Sequence, residues 1–101
     1  MTAYAIDETL KRLSGRKGVK GVVILNGEGQ AIRSTLDQDL TKQYGQLISK
    51  LVQQAQSTVT QLDDQNELTF LRVRTKKHEI MIAPDNEYLL IVVQNPSESI
   101  Q

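Results

Sequence analysis

Residues 36–63 read LDQDLTKQYGQLISKLVQQAQSTVTQLD, and this stretch decides the fold. At 100° per residue, Leu40, Tyr44, Leu47, Leu51, Ala55, Val59 and Leu62 gather on one side, and Ile48 and Val52 widen the band. Lys42, Gln43, Gln46, Ser49, Lys50, Gln53, Gln54 and Gln61 fill the rest. The spacing predicts one long amphipathic helix. Its apolar arc is roughly 140°, whereas a helix covering a single sheet needs only about 100°. The surplus is placed on the Ile48–Val52–Val59 flank, beside Gly45, whose missing side chain permits close backbone approach. The helix is therefore expected to touch its own sheet and a second copy of the chain.

Working outward, Leu68 to Arg74 alternates and reads as a strand, Glu79 to Ala83 as the next, and Tyr88 to Gln94 as the last. Lys76-Lys77 and Pro84-Asp85-Asn86 supply the turns between them. Upstream, Val19 to Leu25 is a strand, Asn26-Gly27-Glu28-Gly29 a turn tolerant of positive φ, and Ala31 to Thr35 the returning strand. Val22–Leu25 and Leu89–Val93 are unbroken apolar runs, which implies burial on both faces. These two strands therefore lie side by side in the middle, leaving the strands from Ala31 and from Leu68 as edges. Ile6, Leu10 and Leu13 mark a short first helix, with Lys11 and Arg12 near its end and Gly15 as the stop. The expected order is α-β-β-α-β-β-β: an α+β domain over residues 1–96, with a five-stranded, mostly antiparallel sheet, a short helix on one face and a long helix on the other. Residues 97–101 are expected to be a disordered tail.

Composition narrows the function classes. The chain has 101 residues, one domain's worth, with 12 Lys and Arg against 12 Asp and Glu. That balance argues against a nucleic-acid or membrane-surface binder. There is no cysteine, so disulfides and thiolate metal sites are excluded. No apolar run approaches the roughly 20 residues of a membrane span, and no signal peptide is visible, so an intracellular domain is expected.

No catalytic constellation stands out. His78 is the lone imidazole and sits at a strand start, as a turn histidine does. Gly27-Glu28-Gly29 is too short to cradle a phosphate and is explained by the hairpin. Asp63-Asp64 and Asp85-Asn86-Glu87 could be imagined around a cation, but helix-end and turn chemistry accounts for each. Neither a cofactor, a metal nor an enzymatic activity is expected. Arg72, Arg74, Lys76 and Lys77 form the strongest charge cluster. The plain reading is protection of an edge strand from uncontrolled pairing; a functional reading is docking of an acidic partner segment, with nucleic acid a weak third.

At Thr69-Phe-Leu-Arg-Val-Arg-Thr-Lys-Lys-His-Glu-Ile-Met-Ile-Ala-Pro-Asp85 the sequence resembles the roadblock-type dynein light chains. The likeness extends to Glu8-Thr-Leu-Lys-Arg12, Lys17-Gly-Val19, Ser34-Thr-Leu-Asp37 and Ile91-Val-Val-Gln-Asn-Pro96. The resemblance implies a non-catalytic homodimer, or a heterodimer with a paralogue, in which edge strands pair into a continuous ten-stranded sheet with the long helices together on one face. It implies binding to the dynein intermediate chain, within the cargo-binding base of a microtubule motor in the cytoplasm or an axoneme. The expected dimer interface is Gly45, Ile48, Val52 and Val59 on the helix and Leu68, Phe70 and Arg72 on the edge. The intermediate chain is expected as a helix in a groove on the opposite face, with Ile6, Leu10 and Leu13 as apolar contacts and Lys11 and Arg12 at the rim. Related roadblock-fold domains act as scaffolds or regulators of small GTPases. An activating role there would want a loop arginine, for which Arg16 is the candidate.

Overall fold

The computed structural model describes residues 2–96, so the expected tail lies outside the described residues. The elements are α1 (Ala3–Ser14), β1 (Val19–Asn26), β2 (Ala31–Ser34), α2 (Gln38–Leu62), β3 (Leu71–Arg74), β4 (Glu79–Pro84) and β5 (Tyr88–Gln94). The five strands form one sheet in the order β2-β1-β5-β4-β3, with every described ladder antiparallel. The two apolar runs, β1 and β5, are thus neighbours near the centre, and the edges are β2 and β3, as the sequence predicts.

Local chemistry explains each boundary. Thr2 Oγ1 accepts from Ala5 N (3.1 Å) and starts α1; Asp37 Oδ1 accepts from Leu40 N (2.8 Å) and starts α2. Asn26 organises the β1–β2 turn, its Oδ1 accepting from the backbone N–H groups of Glu28 and Gln30, both at 3.0 Å. Gly29 completes that turn at φ +83°, a conformation open to glycine at little cost.

Register sorts the side chains between the two faces. Leu71, Ile82, Ile91 and Val23 stand across from one another in successive ladders and so share one face. That face, with Leu25 and Val93, packs on Ile48 and Val52 of α2. The other face carries Val22, Ile24 and Val92, and α1 lies over its β1 and β2 portion with Ile6 buried. Sequestering Ile48 and Val52 contributes about 1.5–3 kcal/mol each.

Two expectations are corrected. Gly45, Ile48 and Val52 do not present a flank to a second copy, because the chain's own sheet buries them, with Ile48 7% and Val52 4% exposed. A Cβ at Gly45 would stand 3.1 Å from the Gly29 carbonyl oxygen, so the close approach there is made by the β1–β2 turn of the same chain. The edge strand is also shorter than predicted. Leu68 and Phe70 precede β3 instead of forming part of it: Leu71 pairs with Ile82, and extending the register sets Thr69 against Pro84, which has no N–H to give.

Candidate functional site

The sheet is unequally covered. Over β2, the helices close in from both sides: Ser34 Oγ and Thr41 Oγ1 share a hydrogen bond of 2.6 Å, and Arg33 Nε donates to Asp7 Oδ1 at 2.6 Å. The Asp7 contact also raises the Arg33 pKa. Towards β3 the cover thins: α2 still meets β4 at Ile82 and Ile80, but the closest approach of both helices is to β1 and β2.

On the α2 face this leaves an apolar surface. Leu40, Leu47 and Leu51 are 37%, 57% and 40% exposed. Leu40 and Leu47, together with Tyr44, Gln43 and Ile48, line an open hollow against Ile80 of β4. Burial pushes the Tyr44 phenol above its ordinary pKa. Next to this surface runs the β3 edge, with Leu71 and Val73 half-buried, and the preceding segment leaves Phe70 50% exposed. Val59 is half-buried near the end of α2. Among the predicted interface residues, Val59, Leu68, Phe70 and Arg72 remain outside the core, Arg72 on the α1 face of the edge, across from Met81. The three leucines, which the sequence reading set in the middle of the apolar band, replace Gly45, Ile48 and Val52. The breadth of the band was the available signal; its rotation against the sheet was not visible.

On the α1 face, Lys11 and Arg12 are exposed and Leu10 and Leu13 half-buried, whereas Ile6 is spent on the chain's own sheet and is corrected as a partner contact. An apolar groove does lie beside α1, lined by Thr9, Ile24, Ala83, Pro84, Tyr88 and Leu90, not by the predicted stripe. Further along this face stands Glu79, 2% exposed, which the sequence reading did not single out. Its carboxylate takes Arg72 Nη2 at 3.1 Å, Arg74 Nε at 3.2 Å and Gln94 Nε2 at 3.0 Å. The cross-strand pairing of Arg74 with Glu79 was the signal that would have found it. Arg16 is exposed after α1, and His78 is half-buried in the β3–β4 turn, where its carbonyl accepts from Thr75 N at 2.7 Å.

This arrangement holds surfaces for contact, and family membership agrees with it. Residues 5–95 match the Roadblock/LC7 domain, and the chain belongs to that family. Solved structures share the fold. A Roadblock/LC7 domain from Streptomyces avermitilis is 17% identical, with 87% of this chain and 73% of that one covered, at a TM-score of 0.76. MglB from Myxococcus xanthus is 19% identical, with 99% and 83% covered, at 0.81. An MglB described in a tetrameric arrangement is 10% identical, with 96% and 76% covered, at 0.79.

Proposed function

We propose that this chain is a non-catalytic, self-associating roadblock adaptor that holds a partner protein. The observation that carries the reading is the half-covered sheet: a bare β3 edge lies beside the exposed Leu40, Leu47 and Leu51 of α2. Pairing of two copies through β3 would satisfy the edge and bury the leucines, in an interface on the order of 1,600 Å² in total. The tetrameric arrangement of an MglB supports self-association in this fold.

Two partner classes fit. Likeness in fold to MglB over nearly the whole chain favours a scaffold or regulator of a small GTPase, the role of other roadblock-fold domains. The blocks from Glu8 to Pro96 favour the dynein intermediate chain, making the protein a motor light chain of the cytoplasm and microtubule cytoskeleton. The fold comparisons put the first reading at least level with the second. A scaffold needs no inserted arginine, so the GTPase reading does not depend on Arg16.

Light scattering at micromolar concentration is expected to report a dimer, and a clean monomer would sink the self-association. Affinity capture of the full-length chain from cell extract, read by mass spectrometry, is expected to enrich one of the two partners. A small GTPase held in a nucleotide-dependent way selects the first reading, an intermediate chain the second, and neither overturns the adaptor.

A further inference from the structure

The chain's formal net charge of zero is the sum of two opposite ends. With every ladder antiparallel, one end of the sheet gathers the α1–β1 loop, the β3–β4 turn and the close of β5. Val19, Gln94, Glu79 and Arg74 stand across from one another there in successive ladders, and Asn95 N donates to the Gly18 carbonyl at 2.8 Å. Arg16, Lys17, Lys20, Arg74, Lys76 and Lys77 are all exposed at this end. The acid of the sheet here, Glu79, is buried and already engaged by Arg72 and Arg74, and the exposed Asp37 and Asp39 stand apart at the start of α2. The other end gathers the β1–β2 turn, the β4–β5 turn and the segment leading from α2 to β3. Glu28, Asp63, Asp64, Glu67, Asp85 and Glu87 are exposed there, and residues 26–30, 51–71 and 84–88 contain no lysine or arginine. Glu28, Asp85 and Glu87 line an open hollow of about 300 Å³ with Ser49 and Gln53 of α2, and no cation lines it. Among the described residues no such group could hold a metal ion, so these acids act as a spread field and not as a cation site.

We infer that the acidic end of one copy receives the cationic end of another, with Lys76 and Lys77 facing Glu28, Asp85 and Glu87 across a contact separate from the β3 edge. Each chain carries both halves, so the contact is heterologous and repeats instead of closing on itself. Charge complementarity selects the occupant. When two copies pair through β3 with their long helices on one face, their strands run in opposite directions. Each rim of that dimer then carries one cationic end and one acidic end. An anionic bilayer or a nucleic acid meeting the rim is attracted by one half and repelled by the other. A second dimer matches both halves at once, and two contacts made together hold far better than either alone. Exposed ion pairs are individually weak, so the assembly needs low ionic strength and dissolves as screening rises. The inference deepens the self-association reading and rests on it for this doubling of the contact.

The test is sedimentation equilibrium of the full chain over a range of concentrations and salt. In about 0.01 M salt, where charges are felt over about 30 Å, species larger than a dimer are expected to grow with concentration. In about 1 M salt, where that range falls to about 3 Å, they are expected to vanish. Lys76→Glu/Lys77→Glu and Glu28→Lys/Glu87→Lys, all in exposed turns, should each weaken assembly beyond the dimer about tenfold or more without moving the unfolding midpoint. Mixed in equal amounts, the two variants should regain the large species. Their unaltered ends meet as in the parent, and the reversed turn of one faces the reversed hollow of the other. If one variant fails to fold, the other and the salt series of the parent decide. A parent that stays dimeric in low salt, large species that survive about 1 M salt, a charge variant that assembles like the parent, or a mixture that regains nothing would each overturn the inference. So would a parent carried down by phosphatidylserine vesicles while its own assembly stops at the dimer. In high salt the same experiment reads the β3 pairing alone: a monomer there defeats that pairing, whereas a dimer that never grows in low salt defeats only the contact between ends.

Discussion

The two ends of the sheet are built from similar material and finished differently. At the β2 end, α1 and α2 approach from opposite faces, Ser34 is hydrogen-bonded to Thr41, and Arg33 is paired with Asp7. At the β3 end there is one short strand, Leu71–Arg74, bonded to β4 alone, with Leu47 and Phe70 open to solvent nearby. An edge left in that condition is a site for strand pairing, and natural proteins protect such edges when they are not used. The cations on β3 give part of that protection. The comparison teaches that α2 has two jobs on adjacent flanks: Ile48 and Val52 complete the chain's own core, and Leu40, Leu47 and Leu51 offer a surface to something else.

The sharpest way to break this division is to charge the inner flank. Ile48→Asp and Val52→Asp place a carboxylate in a nearly dry core, and each is expected to cost about 3 to 5 kcal/mol, read as a lowered urea midpoint. A Val52→Asp protein that stayed fully folded while losing only its dimer would restore the discarded flank assignment. The outer flank should answer in the opposite way. Leu47→Ser/Leu51→Ser is expected to leave the unfolding midpoint of the single chain nearly unchanged. In sedimentation equilibrium it should raise the dimer dissociation constant by about 100-fold or more. If that pair unfolded the chain as badly as Ile48→Asp, the two flanks would not be distinct.

Smaller changes probe the finished end. Asp37→Ala removes the acceptor at the start of α2 and should cost about 1 kcal/mol, with no effect on self-association. Arg33→Ala removes a pair in which both side chains are well exposed, 40% and 55%, and the midpoint is expected to stay where it is. A large loss from Arg33→Ala would mean that α1 depends on this contact far more than its buried Ile6 suggests.

Much of this architecture is legible in the sequence. Glycine and asparagine after Leu25, the proline at 84, and the two apolar runs gave both the strand boundaries and the neighbours in the middle of the sheet. These signals are local or depend on total burial, and neighbouring elements cannot easily reverse them. Phe70 shows a related limit: alternation over Leu68–Phe70 has the strand pattern, but the ladder with β4 stops at Leu71–Ile82, and two residues further out Thr69 would meet Pro84, which has no N–H to give. Glu79 was overlooked because a carboxylate between Lys77-His78 and Ile80 looks like ordinary surface charge until register sets it beside two arginines.

By itself, then, the sequence determined which segments are helices and strands, the order of strands and the presence of more apolar surface on α2 than one sheet can cover. Which part of that surface the sheet takes was decided only in three dimensions. A periodic pattern specifies a stripe along a helix but not the helix's rotation about its own axis, and an arc of roughly 140° leaves room for more than one docking angle. Here the angle is set where the β1–β2 turn meets α2, with the Gly29 carbonyl against Gly45. That contact turns Ile48 and Val52 inward and leaves Leu47 and Leu51 outside.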